Sequence, residues 1–348
     1  MFPARCIKSS RPLRSAPIML QTKPLSLVRP LLLVLLLAFS SVSFSEDRIL
    51  PEANYTGTLI TSNPNTIREG SLVLTPYVIY LHANDRYDPH GRREKLPHSY
   101  SQWQTLLPIA YGITPRLTGK LTLGGNRTSE KGDHTRGLQA TDVALRLQYQ
   151  LLAPNRDGSR PSVSVFISQN LLTGSYDSLR DHPLDGMGSG AKRTNLSLLS
   201  QKVFWLANGR PLRLRGQLSW SPKPPSIRLQ DVSVYSTPHG FRGIYYPGSQ
   251  LNLSIGSEYS MDAHWVPAID IVASRQGRAS LSGTIQQEDG SLSPMQRTDN
   301  YSAIYSIVPA IEYNFNGQYG LIAGVQFSLG GHNTRAPITP RIAFNAVF

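Results

Sequence analysis

The chain has 348 residues, 40% hydrophobic and 16% charged, with a formal net charge of +13 and a mean hydropathy of −0.24. Only one segment approaches the roughly 18–20 continuous apolar residues of a membrane-crossing helix, which excludes a multi-helix membrane protein, and the apolar content is too high for a disordered chain. The positive charge invites a nucleic-acid reading, which depends on where the charges lie.

Residues 1–45 hold six Lys or Arg and no Asp or Glu. They contain the run Leu31-Leu32-Leu33-Val34-Leu35-Leu36-Leu37-Ala38-Phe39, followed by small residues at Ser43 and Ser45. A basic flank, a short apolar stretch and small residues together predict an export signal cleaved after Ser45. Met19 is an alternative start, giving a leader of ordinary length with Lys23 and Arg29 as its charges. An organelle transit peptide over residues 1–18 is the rival reading, and the Leu-rich run fits it poorly. Removing the leader leaves 29 basic against 22 acidic residues, a charge of +7, and the case for nucleic acid goes with it. The one cysteine, Cys6, precedes the apolar run, so it cannot be a lipid-attachment site and the mature chain has no disulfide.

After a polar stretch at 46–70, two-residue periodicity recurs in segments of about ten residues. Leu145, Leu147, Tyr149 and Leu151 alternate with Arg146, Gln148 and Gln150; Leu321, Ala323, Val325 and Phe327 alternate with Gly324 and Gln326. The pattern predicts twelve strands, near 71–82, 99–112, 116–127, 138–152, 160–170, 193–206, 211–220, 249–260, 265–275, 303–315, 317–329 and 338–348. Pro76 and Pro108 weaken the first two, because proline removes a ladder hydrogen bond. Tight connections, including Asn208-Gly209 and an Asn316-Gly317 corner expected to carry positive φ at both residues, alternate with long polar ones at 83–98, 128–137, 171–192, 221–248, 276–302 and 330–337.

An even number of antiparallel strands, short turns at one end and long loops at the other predict an all-β, twelve-stranded transmembrane β-barrel over 71–348. A soluble sandwich shares the alternation but must bury one face. Here one face is apolar, while the other carries Lys120, Asp142, Arg146, Arg213, Arg215, Glu258, Asp270, Glu312 and Arg341. Aromatics beside the short turns, among them Tyr111, Tyr149, Trp205, Trp265 and Tyr319, fit an interfacial girdle. The chain ends on alternating Ile342, Phe344, Ala346 and Phe348, with Phe344 and Phe348 the expected signal for the barrel-assembly machinery.

The stretch Thr173-Gly174-Ser175-Tyr176-Asp177, followed by Asp185-Gly186-Met187-Gly188-Ser189-Gly190, resembles a segment of the MetA-pathway phenol-degradation family. Leu329-Gly330-Gly331-His332-Asn333-Thr334 is similar to that family's Gly-x-Asn-Thr, and Val308 to Gly317 resembles its penultimate hairpin. The resemblance implies an outer-membrane barrel with a transporter role. Leu172 stands where the family has Pro.

The inward charges read in two ways: a pore wall that selects solutes, or a paired network that fills and stiffens a narrow lumen. Asp177, Asp181 and Asp185 mark a loop that folds into a constriction, and residues 46–70 lie in the periplasm or plug the lumen. No metal or cofactor is expected, since His82, His90, His98, His134, His182, His239 and His332 show no close ligand spacing. The expected function is a Gram-negative outer-membrane channel for small, hydrophobic or aromatic solutes. The alternatives are a filled structural barrel or a lipid-modifying enzyme, the latter lacking any Gly-x-Ser-x-Gly. Expected partners are outer-membrane lipids and lipopolysaccharide, the assembly machinery and the solute.

Overall fold

A computed structural model describes residues 54–348. The export signal, the alternative start and the beginning of the 46–70 segment lie outside the described residues. Twelve antiparallel strands form a closed ring among them: β1 (Tyr77–Tyr87), β2 (Arg93–Thr114), β3 (Leu117–Glu130), β4 (Val143–Leu152), β5 (Ser162–Leu171), β6 (Thr194–Trp205), β7 (Pro211–Ser221), β8 (Gln250–Tyr259), β9 (Trp265–Gln276), β10 (Ser302–Asn314), β11 (Tyr319–His332) and β12 (Ile338–Val347). Each pairs with its sequence neighbours, and β12 pairs with β1 at Val78–Ile342 and Ile79–Arg341 to close the ring.

The alternation has the inverted sense of a membrane barrel. Leu147 and Leu151 are 51% and 52% exposed, while Gln148 and Gln150 beside them are 6% exposed. The outer face is apolar and the inner face polar, and the strand ladders close into a ring that has no edge. Aromatics mark both rims. Trp265 packs edge-on to Tyr313, and Tyr313 to Phe315, at the short-turn end, while Tyr80 packs on Trp103 toward the long loops.

The two prolines share one explanation. A short strand, Leu72–Leu74, pairs with Ile109–Tyr111 of β2 and with Ala346 and Val347 of β12. The strand then breaks at Thr75-Pro76 and resumes as β1. Pro108 faces that break, its carbonyl accepting from Thr75 N at 3.0 Å. The missing N–H groups therefore fall where the ladder is already interrupted.

Three expectations need correction. The stretch 83–98 is mostly strand, since β1 and β2 continue past the ring as a hairpin whose turn is 88–92, and β11 likewise runs to His332. The Asn316-Gly317 corner has no positive φ. Instead Asn316 Oδ1 accepts from Gln318 N and Tyr319 N at 2.8 and 2.9 Å, a side-chain turn that replaces the mirror-image backbone turn. The long loops are also not irregular: Ile227–Gln230, Phe241–Tyr246, Ala279–Gln286 and Leu292–Asp299 form a four-stranded sheet joining two of them. Its core is Ile227, Leu229, Phe241, Tyr245 and Leu281, with Ala191 from the 172–193 loop.

Candidate functional site

The lumen is occupied by the chain's own segment ahead of the wall. At the short-turn rim, Asn314 Nδ2 donates to Asn54 O at 3.1 Å. The segment rises, turns near 58–62, where Thr58 Oγ1 donates to Thr61 O, and descends. Gln148 Nε2 donates to the carbonyls of Asn63 and Pro64, and Ser164 Oγ also donates to Pro64 O. It returns to the same rim at Thr66, whose hydroxyl donates to Pro115 O. Residues 54–68 thus form a hairpin-shaped plug inserted from the short-turn end.

Wall carboxylates hold its backbone. Glu312 Oε2 accepts from Thr56 N at 2.7 Å and Gly57 N at 3.2 Å. Asp270 accepts from Ile60 N, Thr61 N and the Thr61 hydroxyl, the last at 2.6 Å. These bonds satisfy donors that extended chain inside a barrel would otherwise leave unpaired. The wall is also cut away to admit the plug. A Cβ on Gly320 would lie 1.9 Å from Thr56 Oγ1, and one on Gly112 would lie 2.0 Å from Arg68 O.

Arg213, Arg215 and Glu258 form a buried network beside this plug. Cross-strand register places Arg213 opposite Glu258. Arg213 Nε lies 2.7 Å from Glu258 Oε2, and Arg215 Nε is 3.0 Å from the same oxygen. Arg215 also donates to Gln201 Oε1 at 2.9 Å, and the Arg213 guanidinium lies 3.8 Å over the Tyr55 ring. Five of the nine inward charges, the three of this network with Asp270 and Glu312, are therefore engaged in pairing or in holding the plug.

Asp142 lies at the end of the wall, where it clamps the glycine-rich loop. Its carboxylate accepts from Gly174 N at 3.1 Å, Ser189 N at 2.8 Å and Ser189 Oγ at 2.6 Å. The two glycine runs cross with backbone in contact, and a Cβ on Gly188 would sit 2.1 Å from Gly174 O. The three loop aspartates go to separate partners. Asp185 pairs with Arg136 at 2.7 Å, Asp177 accepts from Gln230 N at 3.3 Å, and Asp181 lies 3.5 Å from His239 Nε2. Among the described residues, no group of three or more His, Cys, Asp or Glu could hold a metal ion.

The remaining inward charges, Lys120, Arg146 and Arg341, face the lumen with no carboxylate in contact among the described residues. Phe344 stacks on Tyr319 on the outer face, and Phe348 exchanges both backbone hydrogen bonds with Leu72 at the closure seam. The sequence offered a plug as one of two readings of 46–70 but did not single out Tyr55, Thr56 and Thr61 within it. The available signal was the set of glycines at inward strand positions, Gly112, Gly256, Gly320 and Gly324, each of which faces the plug.

No family model matches the chain, and no curated protein matches it in sequence. Solved structures do match. An outer-membrane channel from Pseudomonas putida F1 aligns over 84% of this chain and 100% of its own, with 16% identity and a TM-score of 0.60. The fold is that of an outer-membrane β-barrel. The translocator domain of the autotransporter NalP from Neisseria meningitidis aligns over 81% of this chain and 90% of its own, with 12% identity and a TM-score of 0.44. A mutant of the monoaromatic hydrocarbon channel TodX aligns over 85% and 95%, with 14% identity and a TM-score of 0.40.

Proposed function

We propose that the chain is an outer-membrane channel for small hydrophobic or aromatic solutes, closed from the short-turn end by residues 54–68. The observation that carries this reading is the nature of what fills the bore. A barrel filled for stiffness needs only wall side chains, as eight-stranded barrels illustrate. Here the filling is one continuous segment, hydrogen-bonded by its backbone to wall carboxylates and covalently continuous with the wall only on its β1 side. Such a segment can leave without dismantling the strand ladders.

The fold likeness to the Pseudomonas channel supports transport, and the likeness of residues 173–190 to the phenol-degradation family supports an aromatic solute. The deciding comparison is between full-length protein and a deletion of residues 54–66, both in planar bilayers. The full chain should conduct little and the deletion steadily more. Cells lacking the protein should also take up toluene more slowly than cells that carry it. If neither form conducts and uptake is unchanged, the barrel is a filled structural protein.

A further inference from the structure

The inner wall separates its charges into two sets. Around the plug, Arg213 and Arg215 share Glu258, while the oxygens of Asp270 and Glu312 accept from the plug backbone. The other set is purely cationic. Lys120 on β3 and Arg146 on β4 are direct cross-strand partners pointing inward. Lys120 has no hydrogen-bond or ion-pair partner among the described residues, and the charge that acts on it is Arg146. Arg146 touches Ser62 Oγ of the plug at 3.5 Å and lies 3.8 Å over the Phe166 ring, which leaves most of its five donors free. Arg341 on β12 donates to Gln326 Oε1, and its Nε is buried with no partner. Arg146 reaches the plug at Ser62, and Arg341 lies two residues along β12 from Ala343, which shares a buried cluster with Leu59 of the plug, so both sides of the set border the plug tip.

Buried or half-buried cations without counter-charges are costly, and adjacent ones add repulsion. The wall holds carboxylates nearby but commits them elsewhere, Asp270 above all, which holds Ile60 and Thr61 of the plug. Beside the cations lies apolar lining: Leu59, Val308, Ile322 and Ala343 form a buried cluster, with Tyr77 and Ile60 packed on it. We propose that Lys120, Arg146 and Arg341 form an anion-binding subsite in the lumen, beside the tip of the plug. It takes the carboxylate or sulfonate group of an amphipathic solute whose apolar part lies against this cluster. The inference rests on the channel reading and adds to its aromatic solutes those that carry an acid group.

The probe is benzenesulfonate, which stays ionised at every working pH, with benzyl alcohol as its neutral counterpart. Binding is measured by calorimetry on full-length protein refolded in a non-ionic detergent at low salt. Wild type should bind the sulfonate in preference to the alcohol. Lys120→Gln and Arg146→Gln should each weaken sulfonate binding at least about tenfold, the loss expected for one charge-assisted contact. Arg210→Gln, at a short turn, should leave it unchanged. Heat-modifiable migration in gels verifies that each variant is folded. Should the Gln variants fail to fold, the wild-type preference and the charge-retaining Lys120→Arg variant decide: absence of sulfonate binding in both overturns the subsite. So does binding that ignores the substitutions in folded protein. Charge-dependent binding without any conductance would keep the subsite and reject the channel; conductance without charge-dependent binding would do the reverse.

Discussion

Glu258 is fully buried and receives two guanidinium groups, so at the residue scale it is the member of the network whose loss strands the most charge. Removing one partner of a buried pair leaves an uncompensated charge, at a cost of about 3–5 kcal/mol, whereas swapping the whole network for apolar residues costs much less. Glu258→Ala should therefore lower the stability of the folded barrel by about that amount in urea titrations, with little change in ion selectivity. A selectivity change without a stability change would return Arg213 and Arg215 to the set of free pore charges. A second residue-scale expectation concerns Asp88, at the tip of the β1–β2 hairpin. Burial raises its carboxyl, but the Arg92 backbone N–H, the Arg92 side chain and the His90 N–H outweigh that and bring it down to about 2. A depressed carboxyl stabilises the folded tip above its ordinary value near 3.8 and loses that contribution as pH falls toward 2. Acid-active protease should cut the 88–92 turn increasingly between pH 4 and pH 2, and equally little anywhere above pH 5. Cutting that rises already between pH 7 and pH 5 would refute this.

At the scale of elements, the plug fits because four inward strand positions lack side chains. Gly320→Val places a methyl-bearing carbon where Thr56 now sits, so the segment must withdraw while β11 keeps its pairing. The variant should fold, run as a heat-modifiable band and conduct like the deletion of 54–66. Unaltered conductance in the folded variant would mean that the plug adapts rather than leaves. The strands themselves were legible from alternation, because the inverted burial of a barrel wall writes its period into every second residue. The plug was legible only as one of two places for 46–70, since residues 54–68 have no periodicity: their partners are Glu312, Asp270, Gln217 and Gln148, between about 80 and 260 positions away. The extracellular sheet escaped for a related reason. Its strands are short, and the pairing that unites its two halves, Phe241–Tyr246 with Ala279–Gln286, joins two different loops, so the local turn at 287–291 announces only one hairpin of it. Inward charges could be named from the sequence, but their division into paired and unpaired sets follows from cross-strand register, which a single sequence does not print.

For the molecule as a whole, closure happens at one seam. Phe348 exchanges backbone hydrogen bonds with Leu72, and Leu72–Leu74 lies between β2 and the end of β12. Deleting Phe348 should reduce the yield of heat-modifiable barrel in refolding while leaving the spectrum of whatever does fold unchanged; undiminished yield would confine that residue to a role in targeting. The same seam governs the plug. Only a few residues separate Ile67, whose N–H donates to Thr118 Oγ1, from the seam strand at Leu72. A segment on so short a leash revisits its site at an effective concentration in the millimolar range, whatever the amount of protein present. A free peptide of residues 54–68, added to the deleted barrel, should therefore need roughly millimolar supply to match the closure that the intact chain achieves alone. Shut-off is thus a matter of intramolecular odds: whatever opens this barrel has to outbid a ligand that can never diffuse away.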